Sequence, residues 1–434
     1  MAPTTEPDVH QARLANGVRV LVIRLPQLET ACASVFVRTG SAHESRALNG
    51  ISHVVEHMVF KGTATRDARR INVDAERLGA EVNAHTDKDH TAFHMRGLAA
   101  DAPAFVSMLG DIVSGASFPA AELERERQVL LHECTEDEDD PVSTAFKLFD
   151  KACFGAHGAA QAVIGPRRNI ERFSRDELVA WVGARYSGAN LVVGVAGNVE
   201  PGALVRAAEA AFGGLASGQE NRVEPARYLG GIASKRDAGS SQAHLVLGFP
   251  LPPLADDDYG GEVAAALFGE GMSSPLLDQI RERRGLAYYS ACSADVLDVC
   301  GQFVIEASTG PKQIDELLTE VLRLLAAQAE AIDPLDLERA RRQLAVRRLR
   351  DHERPHRRLE DAALDLMFLG RVRPAAERRE RIEALGSGDL RAVFERMLAA
   401  GVSVALAGEL PRAASERVRE IIARSGYRVR LPQP

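Results

Sequence analysis

The stretch LGAEVNAHTDKDHTAFHMRGLAADAPAFVSMLGDIV, residues 78–113, largely sets the fold. It predicts a helix that ends at Gly79, then two strands joined by a polar turn, Glu81 to Thr86 and Thr91 to Arg96, and then a second helix. The same order recurs in RGLAYYSACSADVLDVCGQFVIEASTGPKQIDELLTEVL, residues 284–322. Although the two stretches share little identity, their ordered pattern indicates two structurally similar domains.

The two halves also end alike, on a strand followed by a helix, in NLVVGVAGNVEPGAL, residues 190–204, and VSVALAGELPRAASERV, residues 402–418. Between them, residues 216–231 are rich in glycine and polar residues and predict a linker. We therefore expect an α+β fold with one domain over residues 1–215 and another over 232–434. Each should be a mainly antiparallel sheet with packed helices.

Composition excludes several classes of partner. The 434 residues carry a formal net charge of −8, and the pI is about 5.9, which argues against a nucleic-acid partner. No run approaches the roughly 20 apolar residues that span a bilayer, so no membrane partner is expected.

The five cysteines are odd in number and form no CxxC pair, which favours a reducing compartment over a disulfide scaffold. The N-terminal segment lacks a charged region followed by an apolar one. We therefore expect a cytoplasmic protein, with a periplasmic one still open if a signal has been removed.

A candidate metal site lies in NGISHVVEHMVFKGT, residues 49–63. On a helix, His53 and His57 are one turn apart on the same face, so both imidazoles can reach one ion. Glu56 directly precedes His57, and this H-x-x-E-H pattern is typical of zinc with a glutamate general base. The alternatives are a structural zinc site, which needs no base, and a helix whose histidines are incidental.

A catalytic zinc needs a third protein ligand and an open position. The helical segment ELERERQVLLHECTEDEDD, residues 122–140, offers Glu126, His132, Glu133 and Cys134. Glu126 and Glu133 are seven residues apart and share a face. Spacing alone does not choose among the four.

Over essentially its whole length the chain resembles the inverted zincins of the pitrilysin and mitochondrial processing peptidase family, in their two-domain bacterial form. The resemblance rests on GSAHESRALNGISHVVEHMVFKGT, LGAEVNAHTDKDHTAF, ERERQVLLHECTEDEDDP, NLVVGVAGNVEP and FGEGMSSPLLDQIRERRGLAYYS. It implies one zinc per chain held by His53, His57 and Glu133, with Glu56 as the base and Glu126 orienting a ligand. The family often has glutamate at position 132 and usually an aliphatic residue at 134. Histidine and cysteine stand there instead, and if His132 or Cys134 reached the metal in place of Glu133, the third ligand would change.

The segment VNAHT, residues 82–86, resembles the edge strand on which family members bind their substrate as an added strand. The resemblance makes Asn83, Ala84 and Thr86 substrate-binding residues, with Asn83 bonding to the substrate backbone. The alternative for Asn83 is an ordinary residue at a strand edge.

The second half contributes LDQIRERRGLAYYS, residues 277–290. By resemblance, Tyr288 would donate a hydrogen bond to the developing oxyanion, and Arg281 would hold the substrate backbone across a chamber between the two domains. Their neighbours Arg284 and Tyr289 are alternatives that spacing does not exclude. The family commonly has arginine where Pro275 stands, a difference that does not affect the expected chemistry.

The resemblance implies a zinc-dependent endopeptidase that hydrolyses unfolded peptides or short polypeptides in a closed chamber. The alternative from another class is a non-catalytic scaffold or regulatory subunit of the same fold. Some relatives divide the zinc motif and the Arg/Tyr pair between two chains, whereas this chain carries both. We therefore expect a homodimer, and a heterodimer with a related subunit remains open.

Overall fold

Two β-sheets organise residues 8–427, the part of the chain that the structure, a computed structural model, describes. The strands of the first sheet are β1 (Val9–Arg13), β2 (Arg19–Arg24), β3 (Thr30–Val37), β4 (Glu81–Thr86), β5 (Thr91–Leu98) and β6 (Leu191–Gly197). The strands of the second sheet are β7 (Gly231–Arg236), β8 (Ala243–Leu251), β9 (Tyr289–Val296), β10 (Gly301–Thr309) and β11 (Ser403–Gly408).

Helices pack on both sheets. In the first half of the chain they are α1 (Ile51–Val59), α2 (Ala68–Arg77), α3 (Ala102–Ser114), α4 (Ala120–Asp139), α5 (Pro141–Phe154), α6 (Arg167–Ile170), α7 (Arg175–Arg185) and α8 (Pro201–Phe212). In the second half they are α9 (Gly260–Gly269), α10 (Pro275–Leu277), α11 (Ile314–Glu330), α12 (Pro334–His352), α13 (Pro355–Phe368), α14 (Ala375–Ala384), α15 (Ser387–Ala400) and α16 (Ala414–Arg424). None of these helices in the described range is both long and apolar enough to cross a membrane.

The two sheets have the same strand order. The first runs β1-β2-β6-β3-β5-β4 and the second β7-β11-β8-β10-β9, so the second matches the first without β1. In each, one pair is parallel, β2 with β6 and β7 with β11, and the other pairs are antiparallel. The prediction of an α+β chain with two similar, mainly antiparallel sheets is therefore confirmed. Strands β1 and β7 were not predicted.

Each half of the chain lends one helix to the other unit. The first unit consists of residues 8–134, 162–223 and 350–373, and the second of residues 135–161, 224–349 and 374–427. Helix α13 packs on β6 and β3 of the first sheet, and α5 packs on β11, β7 and β8 of the second. Glycines in the strands make room for both helices. A Cβ at Gly194 of β6 would lie 2.7 Å from Leu359 of α13, and one at Gly248 of β8 would lie 2.6 Å from the Phe149 ring of α5. Both distances are too short for a side chain at either glycine. The linear boundaries at 215 and 232 do not describe this exchange.

The predicted linker has no helix or strand over residues 216–230 and is held in place by side-chain amides. Asn190 donates to the Gln219 carbonyl and accepts from the Asn221 backbone N–H, at 2.8 and 2.6 Å. Asn221 in turn donates to the Arg38 carbonyl. The segment therefore packs as an ordered part of the first unit up to residue 223.

The first sheet is covered on both faces, which is why its central strands β3 and β6 are almost continuously apolar and buried. One face packs against a core that includes α1, α3 and α8, and the other against α13. Because side chains alternate along a strand, neighbouring residues of β4 point to opposite faces. This alternation places the functional residues described next.

Candidate metal centre

Helix α1 owes its position to a buried carboxylate that follows β3. Glu44 accepts hydrogen bonds from the backbone N–H groups of Gly50 and Ser52, both at 2.8 Å, and from the Asn49 amide at 2.9 Å. These bonds satisfy donors that the first turn of a helix leaves without partners. Gly50 adopts a φ of 99°, and a Cβ there would lie 2.8 Å from the Ile164 carbonyl oxygen. The helix thus starts at one defined place and angle.

The polar and apolar residues of α1 divide by face. Its apolar side chains, Ile51, Val54, Val55, Met58 and Val59, are fully buried in the core of the first unit. His53, Glu56 and His57 are only partly buried and lie on the remaining face. The apolar surroundings of the motif therefore anchor the helix, while its three polar residues stay accessible.

Three ligand atoms converge beside α1. The Nε2 atoms of His53 and His57 lie 3.8 and 3.7 Å from one carboxylate oxygen of Glu133, which α4 supplies. Two atoms bound at about 2.0–2.2 Å to one tetrahedral zinc are roughly 3.3–3.6 Å apart. The separations are too long for good hydrogen bonds and close to those around an ion. Two imidazoles and one carboxylate are also a donor set that suits zinc.

Glu126 orients His57. Its Oε1 lies 2.9 Å from His57 Nδ1, and its Oε2 accepts from the Lys61 ammonium at 2.6 Å. Burial raises the pKa of Glu126, but the bonds to His57 and Lys61 outweigh it and lower the pKa overall. The carboxylate therefore stays ionised, holds the proton of His57 on Nδ1 and leaves Nε2 free for an ion.

Neither His132 nor Cys134 joins this group among the described residues. Cys134 is buried and contributes to the apolar core of the first unit. His53 is the less supported of the two motif histidines, because its Nδ1 is buried without a hydrogen-bond partner in the described range. Burial, together with the nearby His57, lowers the pKa of His53 to about 4, so its imidazole is neutral and able to bind a metal at neutral pH.

Glu56 lies next to the three ligand atoms but is held separately. Its Oε2 accepts a 2.6 Å hydrogen bond from the hydroxyl of Thr86 on β4. Burial raises the pKa of the Glu56 carboxyl, while Thr86 and His57 oppose the rise. A raised pKa brings a carboxylate closer to the range in which a general base works well at neutral pH.

Strand β4 lies at one edge of the first sheet. Asn83 is exposed there, and its side-chain oxygen accepts from the Ala84 backbone N–H at 2.8 Å. Thr86 was predicted to bind substrate. In this structure its hydroxyl donates a hydrogen bond to Glu56. Among the described residues β4 pairs only with β5, so its outer backbone edge is open to an added strand.

Arg281 and Tyr288 belong to the second unit. Arg281 lies in a π-helical turn, Asp278–Arg283, after α10, and Tyr288 directly precedes β9. Together they line a cavity of about 350 Å³ whose wall includes Gln313, the residue directly before α11. Tyr288 is 84% exposed.

The two alternatives are engaged elsewhere. Tyr289 donates a 2.7 Å hydrogen bond to Glu306, which raises the pKa of the phenol to about 12. Arg284 lies 3.4 and 3.3 Å from carboxylate oxygens of Glu316 and Glu320 on α11. Of the two pairs, Arg281 and Tyr288 are therefore the better placed to meet a ligand.

Glu44 and Lys61 are functional candidates that the sequence analysis missed. No recognised signal marked Glu44, because it lies six residues before Gly50, the N-cap of α1, whereas capping side chains are expected at the N-cap itself. None existed for Lys61, because its partner Glu126 is 65 residues away and only the packing of α4 beside α1 brings them together.

Replacing Glu44 by alanine should lower the free energy of unfolding of the first unit by about 3 kcal/mol, because buried donors lose a charged acceptor. Trp181, the only tryptophan in the chain, lies buried in this unit and reports its unfolding in urea by fluorescence. Glu76→Ala on the exposed face of α2 is the control and should change stability by less than about 0.5 kcal/mol. Equal effects of the two variants would contradict the capping role.

Comparison with known proteins gives matches over most of the chain. The model of the insulinase family, peptidase family M16, matches residues 19–167, which contain the H-x-x-E-H motif. The model described as the peptidase M16 inactive domain matches residues 172–344, which contain Arg281 and Tyr288. The family resemblance seen in the sequence is thereby confirmed.

Relatives and solved structures agree. An uncharacterized zinc protease of Rickettsia bellii is 29% identical over 92% of this chain and 97% of its own length. Another uncharacterized zinc protease, of Bacillus subtilis, is 31% identical over 76% of this chain and 81% of its own length. Two solved structures share the fold. A protease from Helicobacter pylori has a TM-score of 0.85 at 20% identity, over 92% of this chain and 99% of its own. A chain of complex III from Candida albicans has a TM-score of 0.84 at 18% identity, over 95% of this chain and 100% of its own.

Proposed function

The chain belongs to peptidase family M16, and from that membership we propose that it is a zinc-dependent endopeptidase acting on unfolded peptides or short polypeptides. One observation carries the proposal: His53, His57 and Glu133 converge on one point while the Glu56 carboxylate lies beside them without joining the cluster. A structural zinc site has no need of the fourth group.

Zinc, when bound there, would polarise the scissile carbonyl and acidify a water molecule. Glu56 accepts the proton of the attacking water and later passes it to the leaving amine. Thr86 keeps the Glu56 carboxylate in place through its hydroxyl. Glu126 and Lys61 stabilise the orientation of the His57 ring.

Substrate binding is proposed at the open edge of β4. An extended peptide there would pair with backbone groups near Asn83 and Ala84, which bind a peptide with little dependence on its side chains. The exposure of Asn83 and the edge position of β4 support this proposal. A peptide whose backbone amides are N-methylated should therefore bind more weakly than its parent, while side-chain changes away from the cleaved bond should matter less.

The second unit would supply Arg281 to the substrate backbone and Tyr288 to the oxyanion, in a chamber closed between the zinc half and the Arg/Tyr half. The cavity that both residues line supports this assignment. Tyr288→Phe should lower kcat about 10²–10³-fold, the cost of losing one oxyanion donor, with zinc content unchanged. Tyr289→Phe is the matched control and should retain most of the activity, because its hydroxyl is bound to Glu306. Similar losses in both variants would contradict the assignment.

A homodimer in which the two halves of each site come from different subunits remains part of the proposal. Mixing an inactive Glu56→Gln protein with an inactive Tyr288→Phe protein tests it. In a shared-site dimer, one of the two sites in each mixed dimer keeps both residues, so activity returns. Sites built within one chain, or a partner of a different sequence, would leave the mixture inactive.

The function itself is tested with a library of quenched-fluorescent peptides and an unfolded protein. Cleavage should disappear when a chelator removes the metal and return when zinc is restored. Absence of cleavage across the library by zinc-loaded protein would favour the scaffold alternative. The likeness to a complex III chain shows a shared fold only, whereas a scaffold has no use for Glu56 beside three intact ligands.

A further inference from the structure

A second group of metal-binding side chains lies on the face of the first sheet opposite α1. Nε2 of His85 on β4 lies 3.3 Å from Nε2 of His90, which precedes β5, and 3.3 Å from Oε1 of Glu360 on α13. The three ligand atoms all lie within 4.8 Å of one another. We propose that this cluster binds a second zinc ion, separate from the one held by His53, His57 and Glu133.

His90 is built to bind through Nε2. Its side chain is 6% exposed, and its Nδ1 lies 2.7 Å from a carboxylate oxygen of Asp89, which is 5% exposed. The carboxylate holds the ring proton on Nδ1, so the Nε2 lone pair points into the cluster. His57 has the same arrangement with Glu126 at the first site. A buried imidazole oriented in this way is what a metal ligand requires.

His85 is the adaptable member of the cluster. Its Nδ1 lies 3.1 Å from Nε2 of His94, whose own Nδ1 lies 2.8 Å from the Ser34 hydroxyl. These contacts allow either ring nitrogen of His85 to carry the proton, because His94 can donate at Nε2 or at Nδ1. With an ion at Nε2, the proton of His85 moves to Nδ1 and donates to His94, which then donates to Ser34. The ion replaces a proton without leaving a buried polar atom unpaired.

The donor set selects the class of ion. Two imidazoles with one carboxylate suit zinc and similar transition metals, whereas calcium and magnesium prefer oxygen ligands alone. Separations of 3.3 Å are those expected between two ligands of one tetrahedral zinc, about 3.3–3.6 Å. The His85 side chain is 40% exposed, which leaves an entry path and room for a water as the fourth ligand.

The second ion would act on the first site through one strand. His85 and Thr86 are neighbours on β4 and point to opposite faces of the sheet, towards α13 and towards α1. Glu360 comes from the half of the chain that follows the linker, so the ion would tie that segment to the edge strand. It would thereby steady the strand that holds Glu56 through Thr86.

The test measures how many zinc ions each chain binds in the wild-type protein and in variants of each site. Chelator-stripped protein is titrated with Zn²⁺ against a chromophoric competitor, and bound metal is measured by mass spectrometry. Wild-type protein should bind about two ions per chain, and His53→Ala/His57→Ala should bind about one. Glu360→Gln in the wild-type background should bring the content down to about one. Asp89→Asn should weaken the second ion about 10–100-fold.

Arg357→Gln is the matched control. Arg357 lies 3.0 Å from the other Glu360 oxygen, so this variant breaks the same ion pair as Glu360→Gln but keeps the ligand. It should keep both zinc ions. The proposal is overturned if His53→Ala/His57→Ala protein binds no zinc, or if Glu360→Gln and Arg357→Gln have the same zinc content. Because peptide cleavage is not the readout, the result is independent of the proposed peptidase function.

Discussion

Replacing Glu56 by glutamine should lower peptide hydrolysis about 10²–10⁴-fold while zinc binding at the first site stays close to that of the parent. The amide keeps the size of the side chain and can still accept the Thr86 hydrogen bond, but it cannot take a proton from water. The carboxylate is not one of the three converging ligands, so the metal should remain. Steady-state cleavage of a fluorogenic peptide and metal analysis of the same sample give both quantities.

Two results bear on this prediction. A Glu56→Gln protein that binds zinc and cleaves as fast as the parent would falsify the proposed base. Thr86→Val, which removes the hydroxyl but leaves the carboxylate, should give a smaller loss than Glu56→Gln.

Replacing Glu133 by glutamine should abolish both zinc retention at the first site and peptide hydrolysis. The side chain supplies the only carboxylate among the three converging atoms, and without its charge the two imidazoles hold the ion weakly. Zinc affinity by competition with a chelator, and activity over a range of added zinc, measure the two effects. Activity should return only partly, at zinc concentrations far above those that saturate the parent.

The other residues of α4 serve as controls for Glu133. Glu126→Gln should weaken zinc binding about 10–100-fold, because it disturbs the orientation of His57 and leaves the ion bound. Cys134→Ala should change zinc affinity little, because the thiol lies in the apolar core. If Cys134→Ala or His132→Gln lost zinc while Glu133→Gln kept it, the third ligand would have to be reassigned.

Much of the fold could be predicted because its signals are local. Strand β4 lies at the predicted residues 81–86, and β5 starts at the predicted Thr91 and extends two residues further. Alternation of side chains along a strand and the 3.6-residue period of a helix are properties of short windows, readable wherever one face is buried. The H-x-x-E-H motif is of the same kind, because one helical turn places His53 and His57 together in any surroundings.

Other features depend on contacts between distant segments. Spacing left Glu126, His132, Glu133 and Cys134 equivalent. The packing of α4 against α1 then turned Cys134 into the core, placed Glu126 on His57 and brought Glu133 within 4 Å of both imidazoles. The exchange of α5 and α13 left no local mark either, since each has the amphipathic pattern of any helix that covers a sheet.

The sequence by itself therefore determined the repeated α+β units, the helix that carries His53, Glu56 and His57, and the family. Among the four polar residues of α4 that spacing left equivalent, the family resemblance pointed to Glu133, and the tertiary structure placed it beside both imidazoles. Only the tertiary structure showed which groups Glu44 and Lys61 bind, and that Glu360 meets His85 and His90 across 270 residues. The physical reason is the distance along the chain over which each kind of signal acts. Hydrophobic periodicity acts over one or two turns, whereas a metal site needs atoms a few ångströms apart that only the packing of whole elements brings together.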